Sequence, residues 1–173
     1  MRSIFPFPRA IWRRAVVIGG ILLPVAPAAA QGLAQEKTLP LALAREAAGA
    51  ALAACEADGH RVSVAVVDRA GLVEVLLKGD GAGPHTLDSS SRKAYTALSL
   101  RRSTAELVEL VRKRPEAAGL RDMNEKILLL GGGLPITAGG EVIGGIGVGG
   151  APGGRLDEAC ARAGLDAIRD RLR

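Results

Sequence analysis

The chain has 173 residues, of which 48% are hydrophobic and only 2% aromatic, and its formal net charge is +5. This length suits one domain with a single core, and the scarcity of aromatic side chains means that aliphatic residues and alanine must fill that core. The two cysteines belong to no Cys-x-x-Cys or Cys/His cluster with metal-ligand spacing, which argues against a structural zinc site.

Residues 1–30 have the pattern of a secretory signal peptide. Four arginines precede the apolar run AVVIGGILLPVA, and APAAA supplies a small-residue cleavage site after about Ala30. We therefore expect a periplasmic or secreted protein without membrane attachment after cleavage. The Arg13-Arg14 pair leaves the twin-arginine export route open beside the general one. An uncleaved anchor is the alternative, which a short run broken by Pro24 and Pro27 disfavours.

Loss of this leader changes the charge argument. It carries four of the 23 basic residues and none of the 18 acidic ones, so the remainder has 19 basic and 18 acidic residues and a net charge of +1. Both phenylalanines and the tryptophan leave with it, and Tyr95 is the single aromatic residue that stays. A chain with neither a basic stripe nor aromatic stacking platforms is not expected to bind nucleic acid.

Residues 31–38 form a short polar tail, and residues 39–173 form one domain. A helix is predicted from about Leu39 to Ala57, because Thr38 can cap its start and the following Asp-Gly ends it. The next run, RVSVAVVDRAGLVEVLLKGDG, has two β-rich stretches around Arg69-Ala70-Gly71 and predicts a β-hairpin.

The second half of the chain begins with a helix over about Thr86–Leu100. Ser103-Thr-Ala-Glu106 is a capping-box pattern that opens a third helix, which ends before Pro115. KILLLGG, LPITA and EVIGGIGVGG then predict three short strands separated by glycine turns, and RLDEACARAGLDAIRDRL predicts a final amphipathic helix.

The predicted order of elements is therefore α-β-β-α-α-β-β-β-α. Most of the strands are joined by tight turns, which indicates an antiparallel sheet. Helices at the start, middle and end must cover that sheet, so the fold class is α+β with five strands flanked by helices.

GIGVGG, at residues 145–150, matches the dinucleotide-binding pattern GxGxxG. That motif needs a helix N-terminus directly after the glycines, whereas here the glycines lie within or at the end of a strand. A strand rich in glycine instead favours a bulge, or the close approach of another backbone or of a flat ligand.

The stretch GPHTLDSSSRKAYTA gathers the most versatile side chains of the chain. His85, Asp88 and Ser89 have the residue types of a hydrolytic triad, but they lie within five residues and no GxSxG elbow is present, so a helix cap is the favoured interpretation. His85 also follows a Gly-Ala-Gly-Pro loop before the helix. With Arg92 and Lys93 two turns later, it could face a flat apolar ligand that carries carboxylates.

Three segments resemble the GlcG/HbpS family of haem-binding proteins, which is related to the C-terminal domain of PduO-type proteins. They are VSVAVVDRAGLVEVLLKGDGAGPHTLDSSSRKAYTA, GGGLPITAGGEVIGGIGVGG and DEACARAGLDAI. The resemblance implies a profilin-like fold with a five-stranded sheet, homo-oligomers, haem binding in at least some members and no established catalytic reaction. The KAYTA match marks Lys93, Tyr95 and Thr96 as pocket or assembly residues.

Together these observations predict an exported, non-enzymatic haem-binding protein that acts in haem or iron handling or in redox sensing. His85 or Tyr95 would meet the iron, since both residue types serve as axial ligands, and Arg92 or Lys93 would meet the propionates. Two alternatives stay open. One is a small periplasmic hydrolase or isomerase that uses His85 and Asp88, and the other is an accessory scaffold subunit without a small-molecule ligand.

Cys55 and Cys160 are predicted to form a disulfide. Cys55 lies near the end of the first helix and Cys160 near the start of the last, so antiparallel packing of the two helices would bring them together. An exported protein meets an oxidising compartment, where such a bond persists. Two buried apolar thiols are the alternative.

Overall fold

The computed structural model of the protein describes Gly32 and residues 34–173. The predicted signal peptide lies outside the described residues. The elements are α1 (Leu41–Ala57), β1 (Ser63–Asp68), β2 (Val73–Lys78), α2 (His85–Leu100), α3 (Thr104–Lys113), β3 (Gly133–Ala138), β4 (Glu141–Gly149) and α4 (Gly154–Ile168). Short 3-10 helices cover Pro115–Arg121 and Arg169–Arg171. No helix within the described part of the chain is long and apolar enough to cross a membrane.

Four strands form one antiparallel sheet in the order β2-β1-β4-β3. Helices α1 and α4 pack on one face of this sheet and α2 packs on the other, so the α+β class and the hairpin of β1 and β2 are confirmed. Residues 35–173 form one compact unit. The capping box is also confirmed, because the Ser103 hydroxyl accepts a hydrogen bond from the Glu106 N–H at the start of α3.

The predicted fifth strand is wrong, because KILLLGG, residues 126–132, forms a loop. Side chains of α2 take backbone hydrogen bonds that a strand ladder would use. Arg92 donates to the Ile127 carbonyl at 2.8 Å, and the Leu128 N–H donates to the Thr96 hydroxyl at 2.8 Å. The apolar run of this segment therefore packs beside α2 rather than in the sheet.

The larger core lies between the sheet and the helices α1 and α4. Small residues allow these two helices to lie close to each other and to the strands, with Ala47, Ala51 and Ala161 fully buried. On the sheet side, β1 contributes Val64 and Val66, which are also fully buried. Alanine and valine thus replace aromatic side chains as the filling of the core, as the composition requires.

Alternate glycines of β4 allow the backbone of α2 to lie directly on the sheet. A Cβ at Gly147 would overlap the Ser90 carbonyl oxygen, and one at Gly145 would overlap the Ala94 carbonyl oxygen. The close approach of another backbone, one of the three alternatives given for the GIGVGG segment, is therefore confirmed. Among the described residues, the small hydrophobic cluster under α2 is formed by side chains of β1 and α2, namely Ala65, Val67, Ala94 and Leu98.

A disulfide joins Cys55 to Cys160, with 5.5 Å between their Cα atoms. Both cysteines are buried, and the bond crosses from the last turns of α1 to the middle of α4. It therefore holds together the two helices that cover one face of the sheet.

We expect Gly147→Ala to lower the free energy of unfolding by about 1–3 kcal/mol or more, because the added methyl group pushes α2 away from β4. The matched control is Gly49→Ala in the middle of α1, where an added Cβ meets nothing within 4 Å. That change should stabilise the protein by about 0.5–1 kcal/mol through helix propensity. Urea unfolding measures both values, and equal stabilities for the two variants would contradict the close packing of α2.

Denatured, unreduced mature protein should contain no free thiol. For a closed segment with a sequence separation of 105 residues, the chain-entropy model assigns the bond about 4–5 kcal/mol of stabilisation. We therefore expect reduction, or the double change Cys55→Ala with Cys160→Ala, to cost a stability of that order. Thiol titration checks the bond, and two reactive thiols per chain would show that it is absent.

Candidate functional site

Helix α2 presents one polar face away from the sheet. Asp88, Arg92 and Tyr95 are spaced four and three residues apart, which places their side chains on the same side of a helix. Ala94 and Ala97 on the opposite side are fully buried. The small residues of α2 thus pack in the core, and its polar residues lie at the surface.

This polar face borders a cleft of about 220 Å³. The cleft is lined by Val67, Gly71, Val73, Asp88, Ser91, Arg92, Tyr95 and Lys126. Its walls come from α2, from the β1–β2 hairpin and from the loop before β3. The valines and the tyrosine ring are apolar, whereas Arg92 and Lys126 supply two positive charges against the single negative charge of Asp88.

The tyrosine ring is held against the turn of the hairpin. Gly71 has a left-handed backbone, with φ at +77°, and a Cβ there would lie 2.8 Å from the Cε2 atom of Tyr95. Only glycine satisfies both constraints. The Lys126 Nζ atom lies 5.4 Å from the centroid of the same ring, within cation–π range. Tyr95 is thus fixed between a glycine turn and a cation.

Hydrogen bonds from α2 position the loop that carries Lys126. Besides its bond to the Ile127 carbonyl, Arg92 lies 3.5 Å from the Asp88 carboxylate. The Thr96 hydroxyl donates to the Arg92 carbonyl at 2.7 Å and accepts from the Leu128 N–H. The buried Thr96 therefore lies beneath the cleft and supports it without lining it.

Lys93 lies in the core and does not line the cleft. Its side chain is 2% exposed, and its Nζ atom donates to the Asp157 carboxylate at 2.7 Å and to the Val148 carbonyl at 2.9 Å. The other carboxylate oxygen of Asp157 accepts from the Ala151 N–H at 3.0 Å. This ion pair joins α2 to β4 and α4. Because the Lys93 ammonium group already donates to these two partners, it is not available to bind a ligand.

His85 is the first residue of α2 and is exposed. Ten residues separate it from Tyr95, which corresponds to about 15 Å along the helix. It does not line the cleft, and its ring lies against the backbone of Gly83. The structure thus brings together Arg92 and Tyr95 of the predicted site residues, places Thr96 behind them, and leaves His85 and Lys93 outside.

The sequence does not identify several residues that form or support the site. Lys126 belongs to the segment that the sequence predicts as a strand, so its position beside Tyr95 is not apparent from the sequence. The sequence marks Gly71 only as a turn residue. Asp157 carried no signal, since an acidic residue in the first turn of a helix is ordinary. Within the described residues, no group of three or more His, Cys, Asp or Glu side chains could hold a metal ion.

The geometry defines a mixed α+β domain with a small apolar cleft flanked by cations. The family model that matches residues 39–166 is described as "Haem degrading protein HbpS-like". It spans most of the chain, and the protein belongs to the HbpS-like family, as the sequence motifs predicted.

Solved structures and a curated relative agree with this family. A double mutant of HbpS from Streptomyces reticuli is 50% identical, with a TM-score of 0.75 over 83% of this chain and 97% of that one. A complex of the PduO C-terminal domain with haem is 26% identical, with a TM-score of 0.70 over 76% of this chain and 96% of that one. An uncharacterised 15.0 kDa protein of Citrobacter freundii is 34% identical over 79% of this chain and 96% of its own length.

We expect Lys93→Met to destabilise the fold by about 3–5 kcal/mol, because it leaves the buried Asp157 carboxylate without its counter-charge. Combining it with Asp157→Leu removes the orphaned charge and should recover most of the lost stability. Urea unfolding of the two variants checks this. A single variant as stable as the wild type would show that the pair does not hold α2 in place.

Proposed function

We propose that the mature protein binds haem in the cleft beside Tyr95 and acts as a non-enzymatic haem-binding protein. The observation that carries this proposal is the cleft itself, which combines an aromatic hydroxyl with apolar walls and two cations in one place. Membership of the HbpS-like family and the haem complex of a structural neighbour support it.

Tyr95 is the cleft residue suited to meet the haem iron. Histidine, cysteine, methionine and tyrosine serve as axial ligands of haem iron, and tyrosine is the only one of these types that lines the cleft. The Tyr95 side chain is held in place by Gly71, so little rotamer entropy is lost on binding. The proposal therefore assigns to Tyr95 the role that the sequence offered to His85 or Tyr95.

Arg92 and Lys126 are suited to meet the haem propionates. A guanidinium group pairs with carboxylates in a forked geometry, and an ammonium group acts as a point charge. Arg92 is already oriented by its bond to Ile127, while the exposed Lys126 lies over the Tyr95 ring at the border of the cleft. Lys93, the other cation predicted for this role, is occupied by Asp157.

The cleft would hold one edge of the porphyrin. Its volume of about 220 Å³ lies below the ~300–1,000 Å³ of pockets that enclose a ligand. The exposed side chains of Val73 and Leu76 continue the apolar surface along β2. Larger concavities elsewhere on the described surface are less suited to haem, because they offer no axial ligand. The one of about 310 Å³ between β3 and α4 is lined by no histidine, cysteine, methionine or tyrosine.

The proposal includes export of the protein through the leader at residues 1–30, assembly into homo-oligomers, and a role in haem or iron handling or in redox sensing. The buried disulfide supports export, because such bonds persist in oxidising compartments. We also propose that the domain has a profilin-like fold, although its sheet has four strands and not the expected five.

Haem degradation is the second candidate function, because the description of the matching family names it. If the protein only binds haem, its haem should bleach no faster than free hemin in the same buffer when a reductant or peroxide is added. Degradation would bleach the Soret band and release iron faster than this background and in proportion to protein, and a Tyr95 variant would lose that excess rate.

We expect mature protein titrated with hemin to develop a Soret band distinct from that of free hemin in the same buffer. Tyr95→Phe keeps the ring against Gly71 and removes only the hydroxyl. It should shift the Soret maximum and weaken binding at least tenfold, a loss of about 1.4 kcal/mol. Absorbance titration measures both effects.

His85→Ala and His60→Ala are the matched controls and should leave the spectrum and the affinity unchanged. A shift in His85→Ala together with an unchanged Tyr95→Phe would return the axial ligand to His85. A spectrum that stays that of free hemin throughout the wild-type titration would end the proposal.

A further inference from the structure

Two adjoining concavities lie between α3 and the first half of α4. One has a volume of about 320 Å³ and the other of about 390 Å³. Ala105 and Arg155 line both of them, so the two form one continuous depression, which we call the α3–α4 groove. Each volume lies within the ~300–1,000 Å³ of pockets that hold small ligands. The groove shares no residue with the cleft beside Tyr95.

The surface of the groove is largely apolar and is built from small side chains. Helix α3 contributes Ala105 and Val108, helix α4 contributes Ala159, and the loop before β3 contributes Leu130. The Leu130 side chain is 48% exposed. Contiguous apolar surface that lines a depression and is rimmed by polar residues is typical of a binding site.

Main chain forms one end of the groove. Gly131 and Gly154 both line it, and a Cβ at Gly154 would lie 2.8 Å from the Cα atom of Gly131. The loop before β3 therefore packs directly on the start of α4. Because no side chain intervenes, this end of the groove has a fixed shape and is not filled by a mobile group.

The charges around the groove leave one cation without a partner. Glu109 pairs with Arg112 at 2.7 Å, and Glu158 pairs with Arg162 at 3.2 Å. Arg155, in the first turn of α4, is exposed and forms no ion pair within the described part of the chain. Since Arg155 lines both concavities, the unbalanced charge of the groove is positive.

The carboxylate of Glu158 limits how much negative charge the groove can accept. Its second oxygen is buried and has no hydrogen-bond partner, so its charge is only partly neutralised by Arg162. A second anionic group on a ligand would meet this carboxylate or the apolar surface near Leu130. The groove is therefore suited to a ligand with one anionic group and an apolar remainder.

We propose that the α3–α4 groove binds an amphiphile with one alkyl chain and one anionic head group, of the class of the fatty acid carboxylates. The head group pairs with the guanidinium of Arg155, whose forked geometry matches a carboxylate. The chain lies on Ala105 and Val108 and ends beside Leu130. Its burial there removes apolar area of both the chain and the protein from water.

The shape of the groove favours a single free chain over a membrane surface. A helix that lies on a bilayer directs its apolar face outward into the lipid. In α3 that face is directed into the protein, where Leu107 and Val111 are buried. The exposed apolar groups line a depression between two helices, which one chain can enter and a flat bilayer cannot.

This inference is independent of the proposed haem function, because the two sites share no residue. Its test is titration of the mature protein with dansyl-labelled undecanoate, whose emission rises when the label enters an apolar site. We expect saturable binding that decanoate displaces. Acetate lacks the chain, decanol lacks the charge, and decanedioate carries a charge at both ends. Each should compete at least tenfold more weakly than decanoate, and equal competition by decanol or decanedioate would contradict the proposal.

Two variants test the two ends of the groove. Arg155→Glu reverses the charge at the head group, and Leu130→Asp places a charge beside the chain. Each should weaken binding of the probe at least tenfold. Both residues are exposed, so the core stays intact. Arg45→Glu is the matched control, because it makes the same charge reversal at an exposed position of α1, and it should leave binding unchanged.

Val73→Asp separates this site from the haem cleft, because Val73 lines the cleft and not the groove. We expect it to leave binding of the probe unchanged, and Arg155→Glu to leave the hemin titration unchanged. Binding that Val73→Asp abolishes and Arg155→Glu retains would place the amphiphile in the haem cleft and overturn the proposal. Absence of saturable binding to the wild type would overturn it as well, whatever the hemin titration shows.

Sedimentation with phosphatidylglycerol vesicles tests the membrane as the occupant. We expect the mature protein to stay in the supernatant. Co-sedimentation that both Arg155→Glu and Leu130→Asp abolish would assign the groove to a lipid surface, and it would contradict the binding of a free chain.

Discussion

The structure depends on the direct packing of the α2 backbone against the glycines of β4. An added methyl group at Gly145 or Gly147 would meet a carbonyl oxygen of the helix, so no other residue allows this distance. The buried pair of Lys93 and Asp157 then fixes the helix along its axis. A buried ion pair contributes little net stability when compared with apolar packing, but it penalises any displacement that would separate its charges. The pair therefore holds α2 in one register over the sheet.

The candidate site follows from this arrangement. Once the glycine-facing side of α2 is fixed, Arg92 and Tyr95 must face the opposite way, toward the hairpin and the loop before β3. In the hairpin, Gly71 has no side chain, and this leaves room for the tyrosine ring. The loop is held by hydrogen bonds from Arg92 and Thr96 and brings Lys126 over the ring. One helix thus organises the core on one side and the cleft on the other.

Elements with a strong local signal could be predicted from the sequence. The capping box at Ser103, the hairpin around Gly71 and the helix pair bridged by two cysteines each depend on a few neighbouring residues or on one long-range pairing. The segment at residues 126–132 could not be predicted in this way, because its apolar run is equally compatible with a strand and its backbone partners are side chains of α2. The burial of Lys93 was also hidden, since lysine is usually exposed and Asp157 lies 64 residues away. Within KAYTA, sequence alone could not separate Tyr95, which faces the cleft, from Lys93, which faces the core. Only the packing of the helix decides this.

A crystal structure of the mature protein with bound haem tests the central claim most directly. The account predicts iron coordinated by the Tyr95 hydroxyl, with the propionates at Arg92 and Lys126 and with Lys93 still paired to Asp157. Haem bound through His85 at the start of α2, or in the concavity between β3 and α4, would contradict it.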